Sequence, residues 1–208
     1  TQNMPMNKEK IGILCGVLAA ISYVCLTTSI KLAAPVGNET LIFFRTLICF
    51  ILILPFFAKK GVSIKTKKPF LHILRSVVGL ITLYCSFYAT KNLFLVDAVL
   101  LYNTIPIFIP FILLAVVKTK ISRKRFFAAC IGFLGIIAIL KPSFQCVNFA
   151  GMIGLLSGFL GAIVFVIIQQ LAKTDPSETI VFYFFLLSMI ISFFPMAFSW
   201  QSFDQKFW

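Results

Sequence analysis

The sequence predicts an all-α integral membrane protein, an inverted five-plus-five transmembrane helix repeat truncated here to about seven spans. Three observations predict it: a composition that demands lipid as solvent, seven apolar runs of membrane-crossing length, and a self-alignment that recurs after five spans. Of 208 residues, 60% are hydrophobic and 12% charged, and the mean hydropathy is +1.02. A soluble domain is about 45–50% apolar and about 25% charged. A soluble core could not hide this excess from water.

About 20 residues of helix cross a bilayer core, and seven segments qualify in turn. Ile11–Ala34 follows Lys8 and Lys10. Its run is too long for a signal peptide and no small-residue cleavage site follows, so it reads as a permanent first span. Leu41–Ala58 comes after Glu39-Thr40 and ends at Lys59-Lys60, and Phe70–Thr90 is the third span. Leu93–Val117 carries Pro106 and Pro110 near its middle. Phe126–Leu140 is short, Phe149–Ala172 is rich in glycine, and Thr179–Trp200 repeats a Glu-Thr opening at Glu178-Thr179. The runs are unbroken and lack the alternation of a membrane barrel, which excludes strands.

The formal charge of +13 would suit a nucleic-acid binder, but Lys and Arg gather in two short segments, Lys59–Lys68 and Lys118–Arg125. Cations placed so are those of cytoplasmic loops beside anionic headgroups, and nucleic acid is excluded as a partner. With the N-terminus cytoplasmic, thirteen cations fall inside and four outside, while Arg45 and Arg75 lie within spans. The bias sets the expected orientation. Six scattered cysteines, including Cys146 in a predicted outer loop, show no metal or redox spacing. They read as small hydrophobes, and no cofactor or metal site is expected.

Residues Gly12–Ala58 align without gaps to Gly151–Ala197, with nine identities in 47 positions. Gly12 matches Gly151, Leu32-Ala33 matches Leu171-Ala172, and the polar pair Glu39-Thr40 matches Glu178-Thr179. Five spans separate the copies, so the second must be upside down. Inverted repeats are a common basis of secondary transporters, because two mirrored halves expose one central site alternately. Residues 11–140 then form a first five-helix unit. Residues 149–208 begin a second, with three spans missing.

Several residues carry a family resemblance. They are Glu39 with Phe43-Phe44-Arg45, Arg75 early in the third span, and the Ala98–Pro110 stretch. Gly132-Phe133-Leu134-Gly135 leading to Lys141-Pro142 completes the set. With these the chain resembles the drug/metabolite transporter superfamily, in particular its EamA type with two EamA repeats. The segment from Pro69 to Arg75 (Pro-Phe-Leu-His-Ile-Leu-Arg) resembles one in S-adenosylmethionine transporters of intracellular bacteria. The resemblance implies ten spans with both termini cytoplasmic and a bacterial inner membrane. This chain departs from it by lacking spans eight to ten.

The transport candidates are polar groups inside spans. Pro106 and Pro110 deprive the carbonyls of Tyr102 and Pro106 of their helical donors. Such backbone is tolerated at mid-membrane only in protein or in a wet cavity. One reading is a hinge where Tyr102 and Asn103 face solute; the other is a packed kink. Arg45 and Arg75 are expensive at the bilayer centre, about 2.5–3.5 kcal/mol each. Arg45 is expected to snorkel or bind solute, and Arg75 to face a cavity and attract a carboxylate or phosphate. His72 and Asp97 are expected at the interface. Tyr23, Tyr84, Tyr88 and Gln169 offer rings and hydrogen bonds to a solute, or else bond between helices. Gly12, Gly16 and Ala20 in the first span, and Gly154, Gly158 and Ala162 in the sixth, are expected to bring helices together.

The function read from this is a secondary carrier of a small organic metabolite by alternating access. Its expected partners are membrane lipid, an anionic or zwitterionic small molecule, and a second copy in a homodimer. A membrane-embedded enzyme is the alternative from another class, disfavoured by one histidine and no paired carboxylates. A non-transporting truncated remnant is the third reading.

Overall fold

A computed structural model describes residues 6–33, 36–60, 66, 68–117, 127–128, 130–132, 134–135 and 148–198. The helices are α1 (Met6–Leu32), α2 (Asn38–Lys60), α3 (Pro69–Asn92), α4 (Leu95–Tyr102), α5 (Ile105–Ile112), α6 (Phe149–Leu171) and α7 (Ser177–Phe198), with a π-helical turn, Leu113–Val117, continuing α5. Six stretches among the described residues are long and apolar enough to cross a membrane, α4 and α5 together making one of them. The expected fifth span, Phe126–Leu140, lies largely outside the described residues, as do Cys146 and Trp200.

Local chemistry sets several boundaries. Pro69 opens α3 at a position where its missing N–H costs nothing. Asn148 caps α6 by accepting a hydrogen bond from the Gly151 amide at 2.9 Å. The fourth span, expected to start at Leu93, starts at Leu95, because Leu93 closes α3 in an extended conformation.

The centre of the bundle is α3 with α6. Among the described helices α3 and α6 are the most buried, and α1 and α2 are buried far less. α3 packs on α6 and α7, α2 on α7, and α4 and α5 on α6. Glycines make the last contact close. A Cβ on Gly158 would stand 2.2 Å from the Thr104 hydroxyl and 2.7 Å from the Leu101 carbonyl oxygen. One on Gly154 or Gly161 would stand 2.8 Å from Leu101 or Ile105. Apolar side chains gain little by leaving lipid for one another, so such backbone approach holds the helices. Ala162, fully buried, completes the face. Gly12 and Gly16 have no such neighbour among the described residues: a Cβ on either would meet nothing described within 4 Å. The buried part of α1 is its later portion, at Thr27 and Ile30, so its small residues meet no described partner.

α2 and α7, the aligned segments, cross in opposite senses. Early α2 meets late α7, with Phe43 5.9 Å from Phe193 and Thr46 3.5 Å from Ser192. Late α2 meets early α7, with Phe50 and Phe57 5.6 and 4.4 Å from Phe182. Polar ties close each end of the bundle. At one end the Lys31 ammonium donates to the Lys91 and Leu93 carbonyls at 2.9 and 2.6 Å, and that of Lys91 donates to the Val36 carbonyl. At the other end Asp175, in the α6–α7 turn, accepts from the Thr66 hydroxyl at 2.6 Å and meets His72 Nε2 at 2.9 Å. His72 is therefore covered by protein at that end of the bundle, at 1% exposure. Asp97 is equally buried.

Candidate functional site

The fourth span breaks between α4 and α5. Tyr102 is the last residue of α4, Asn103 and Thr104 form the turn, and Pro106 sits in the first turn of α5. Pro106 cannot donate to the Tyr102 carbonyl, nor Pro110 to that of Pro106. The turn satisfies part of its own polarity. Asn103 Nδ2 donates to the Val99 carbonyl at 2.8 Å, and the Thr104 hydroxyl to that of Leu101 at 2.6 Å. The Asn103 amide is thereby turned back onto α4.

At the break three sequence candidates come together from three helices. The rings of Tyr23 on α1 and Tyr102 on α4 stack with centroids 5.9 Å apart and planes 23° from parallel. Arg45 on α2 lies within electrostatic reach of both phenols. Its guanidinium stands 5.9 Å from the centroid of the Phe87 ring on α3. Arg45 Nη1 is buried and finds no hydrogen-bond partner among the described residues. Tyr84 lines the adjoining wall, packed on the cluster of Ile30, Ile42, Leu80 and Phe87. Its buried hydroxyl likewise has no described partner. A cation beside an aromatic ring, with an unmatched donor and with stacked phenols and broken backbone in the same region, can hold a solute that has a planar or anionic part.

The remaining candidates stand elsewhere. Tyr88 packs edge-on to Phe149 at 6.4 Å, in the cluster of Ala89, Leu93, Ala98 and Ala150. Gln169 is exposed on α6. Arg75 is buried on the α3 face toward α7, 4.2 Å from the centroid of Phe184. Sequence reasoning missed the Thr66–Asp175–His72 group, whose members are up to 109 positions apart, and the buried hydroxyls of Ser76 and Ser188. A serine in an apolar run gives no sequence sign of whether it faces lipid or a neighbour.

A family model described as the EamA-like transporter family matches residues 10–141. The chain is 28% identical over 191 residues to the pseudopaline exporter CntI of Pseudomonas aeruginosa (strain UCBPP-PA14), covering 91% of this chain and 67% of that protein. It is 24% identical over 186 residues to an uncharacterized transporter of Helicobacter pylori (strain J99), covering 86% and 61%. It is 24% identical over 156 residues to the S-adenosylmethionine uptake transporter of Rickettsia prowazekii (strain Madrid E), covering 74% and 53%. The chain thus spans between about half and two thirds of the length of these relatives.

Proposed function

This chain belongs to the EamA-like transporter family, and from that premise we propose that it is a secondary carrier of a small organic metabolite. It works by alternating access in a bacterial inner membrane with its N-terminus cytoplasmic. The working unit is two inverted five-span halves, of which residues 11–140 are the first and 149–208 open the second. The similar proteins are named for export of pseudopaline and for uptake of S-adenosylmethionine. Direction is therefore tested both ways.

The observation that carries the reading is the stacking of Tyr23 on Tyr102 at the broken fourth span, with the Arg45 cation within electrostatic reach of both phenols. Two stacked rings suit a planar solute, and a buried guanidinium with a free donor suits a carboxylate. The break supplies a place where backbone contacts change as the halves rock.

The test is transport of labelled S-adenosylmethionine, the first probe, into and out of proteoliposomes holding the full-length protein. Tyr102→Ala and Arg45→Gln are each expected to lower the initial rate at least tenfold. Loss of stacking and of a charged hydrogen bond is worth about 1.5–3 kcal/mol, and 1.4 kcal/mol is tenfold in rate. Equal rates in wild type and both variants, for any solute the wild type carries, would remove this cluster from the site.

A further inference from the structure

We propose that Arg75 binds an oxyanion, a carboxylate or a phosphate, in the seam between α3 and α7. Arg75 is at least nine-tenths buried, as are His72 and Ser76 on the same helix and Ser188 on α7, at 8%, 1%, 0% and 0% exposure. The Arg75 guanidinium lies 4.2 Å from the centroid of the Phe184 ring, which is seated over Gly79. A Cβ on Gly79 would come within 2.9 Å of that ring, so the bare glycine lets Phe184 lie against α3. The ring fixes the cation but accepts no conventional hydrogen bond.

Arg75 Nε and Nη1 are buried with no acceptor among the described residues, and the Ser76 and Ser188 hydroxyls are likewise unmatched. Asp175, whose partner His72 lies one turn before Arg75, is engaged by His72 and Thr66. A buried cation with unused donors is strongly unfavourable unless an anion meets it. Planar guanidinium donors match carboxylate and phosphate oxygens. This deepens the carrier reading by giving the solute an anionic group. It rests on that reading only for its purpose, because binding is measured without transport.

The experiment follows the unfolding temperature of the purified full-length protein in uncharged detergent at fixed ionic strength. Glutarate and inorganic phosphate are titrated in place of chloride, and nanodiscs of phosphatidylglycerol are compared with phosphatidylcholine. Saturable stabilisation by a soluble anion is expected, with half-saturation at least tenfold weaker in Arg75→Met and partly restored in Arg75→Lys. Ser188→Ala keeps the charge and is expected to weaken it about threefold. An Arg75-dependent response to phosphatidylglycerol alone supports the same site and names a lipid headgroup as its source. Without anion, Arg75→Met should unfold at or above the wild-type temperature, since an unmatched charge is gone. A fall of several degrees there, an equal anion response in wild type and Arg75→Met, or no response to any probe would overturn the proposal. Any of these leaves the Tyr102 and Arg45 transport test standing.

Discussion

Asp175 does at one point what a longer loop would do with many contacts. Its carboxylate joins the segment before α3, through Thr66, to α3 itself, through His72. The ring of His72 in turn lies 4.7 Å from that of Tyr183 on α7. Asp175→Ala would strand one imidazole N–H of buried His72, at about 1–3 kcal/mol for the unmatched group, and release the half-buried Thr66 hydroxyl. A drop of several degrees in the unfolding temperature of the purified protein is the expected outcome, and Asp175→Asn should recover part of it. No drop would mean that water already serves these groups. None of this was readable beforehand. A histidine early in a span gives no sign of a partner 103 positions away.

At the scale of elements, the contact between α6 and the broken span depends on missing side chains. Gly158→Val would drive a branched side chain into the Thr104 hydroxyl and the Leu101 carbonyl, a backbone atom that cannot swing aside. Overpacking of this kind costs about 1–3 kcal/mol, so thermal unfolding of the variant should come several degrees early. Gly12→Val, with no described residue within 4 Å of the added Cβ, is expected to stay within about 0.5 kcal/mol of wild type. Equal effects of the two would refute the packing described. The spans themselves were legible because length and apolarity are properties of a segment alone. The break was legible too, because a proline near mid-span removes a donor wherever the helix is placed. Which glycines pack was only half legible. Gly154, Gly158 and Ala162 found a neighbour, whereas Gly12 and Gly16 have the same spacing and no described partner, since a partner is a property of two segments. The candidate site was legible in the same partial way. Tyr23, Arg45 and Tyr102 were each nameable as polar groups within spans, but their convergence depends on how α1, α2 and α4 pack.

Across the whole molecule, Glu39 and Glu178 open aligned helices at opposite ends of the bundle. Glu39 interacts with Lys91 at one end, and Glu178 begins α7 beside the Asp175 turn at the other. Glu39→Cys and Glu178→Cys should therefore react with an impermeant maleimide from opposite sides of sealed vesicles, and labelling from one side alone would contradict the crossing of α2 and α7. The seam around α3 has a further consequence, for synthesis. The residues that cover His72, Arg75 and Ser76 lie on α6 and α7, which the ribosome makes roughly a hundred codons later. Until then His72 lacks its Asp175 partner in hydrocarbon, where an unmatched group costs several kcal/mol, or it is shielded by the insertion machinery. Nascent chains arrested near residue 145 should be degraded far faster than chains arrested beyond residue 200, a difference that pulse-chase would read directly.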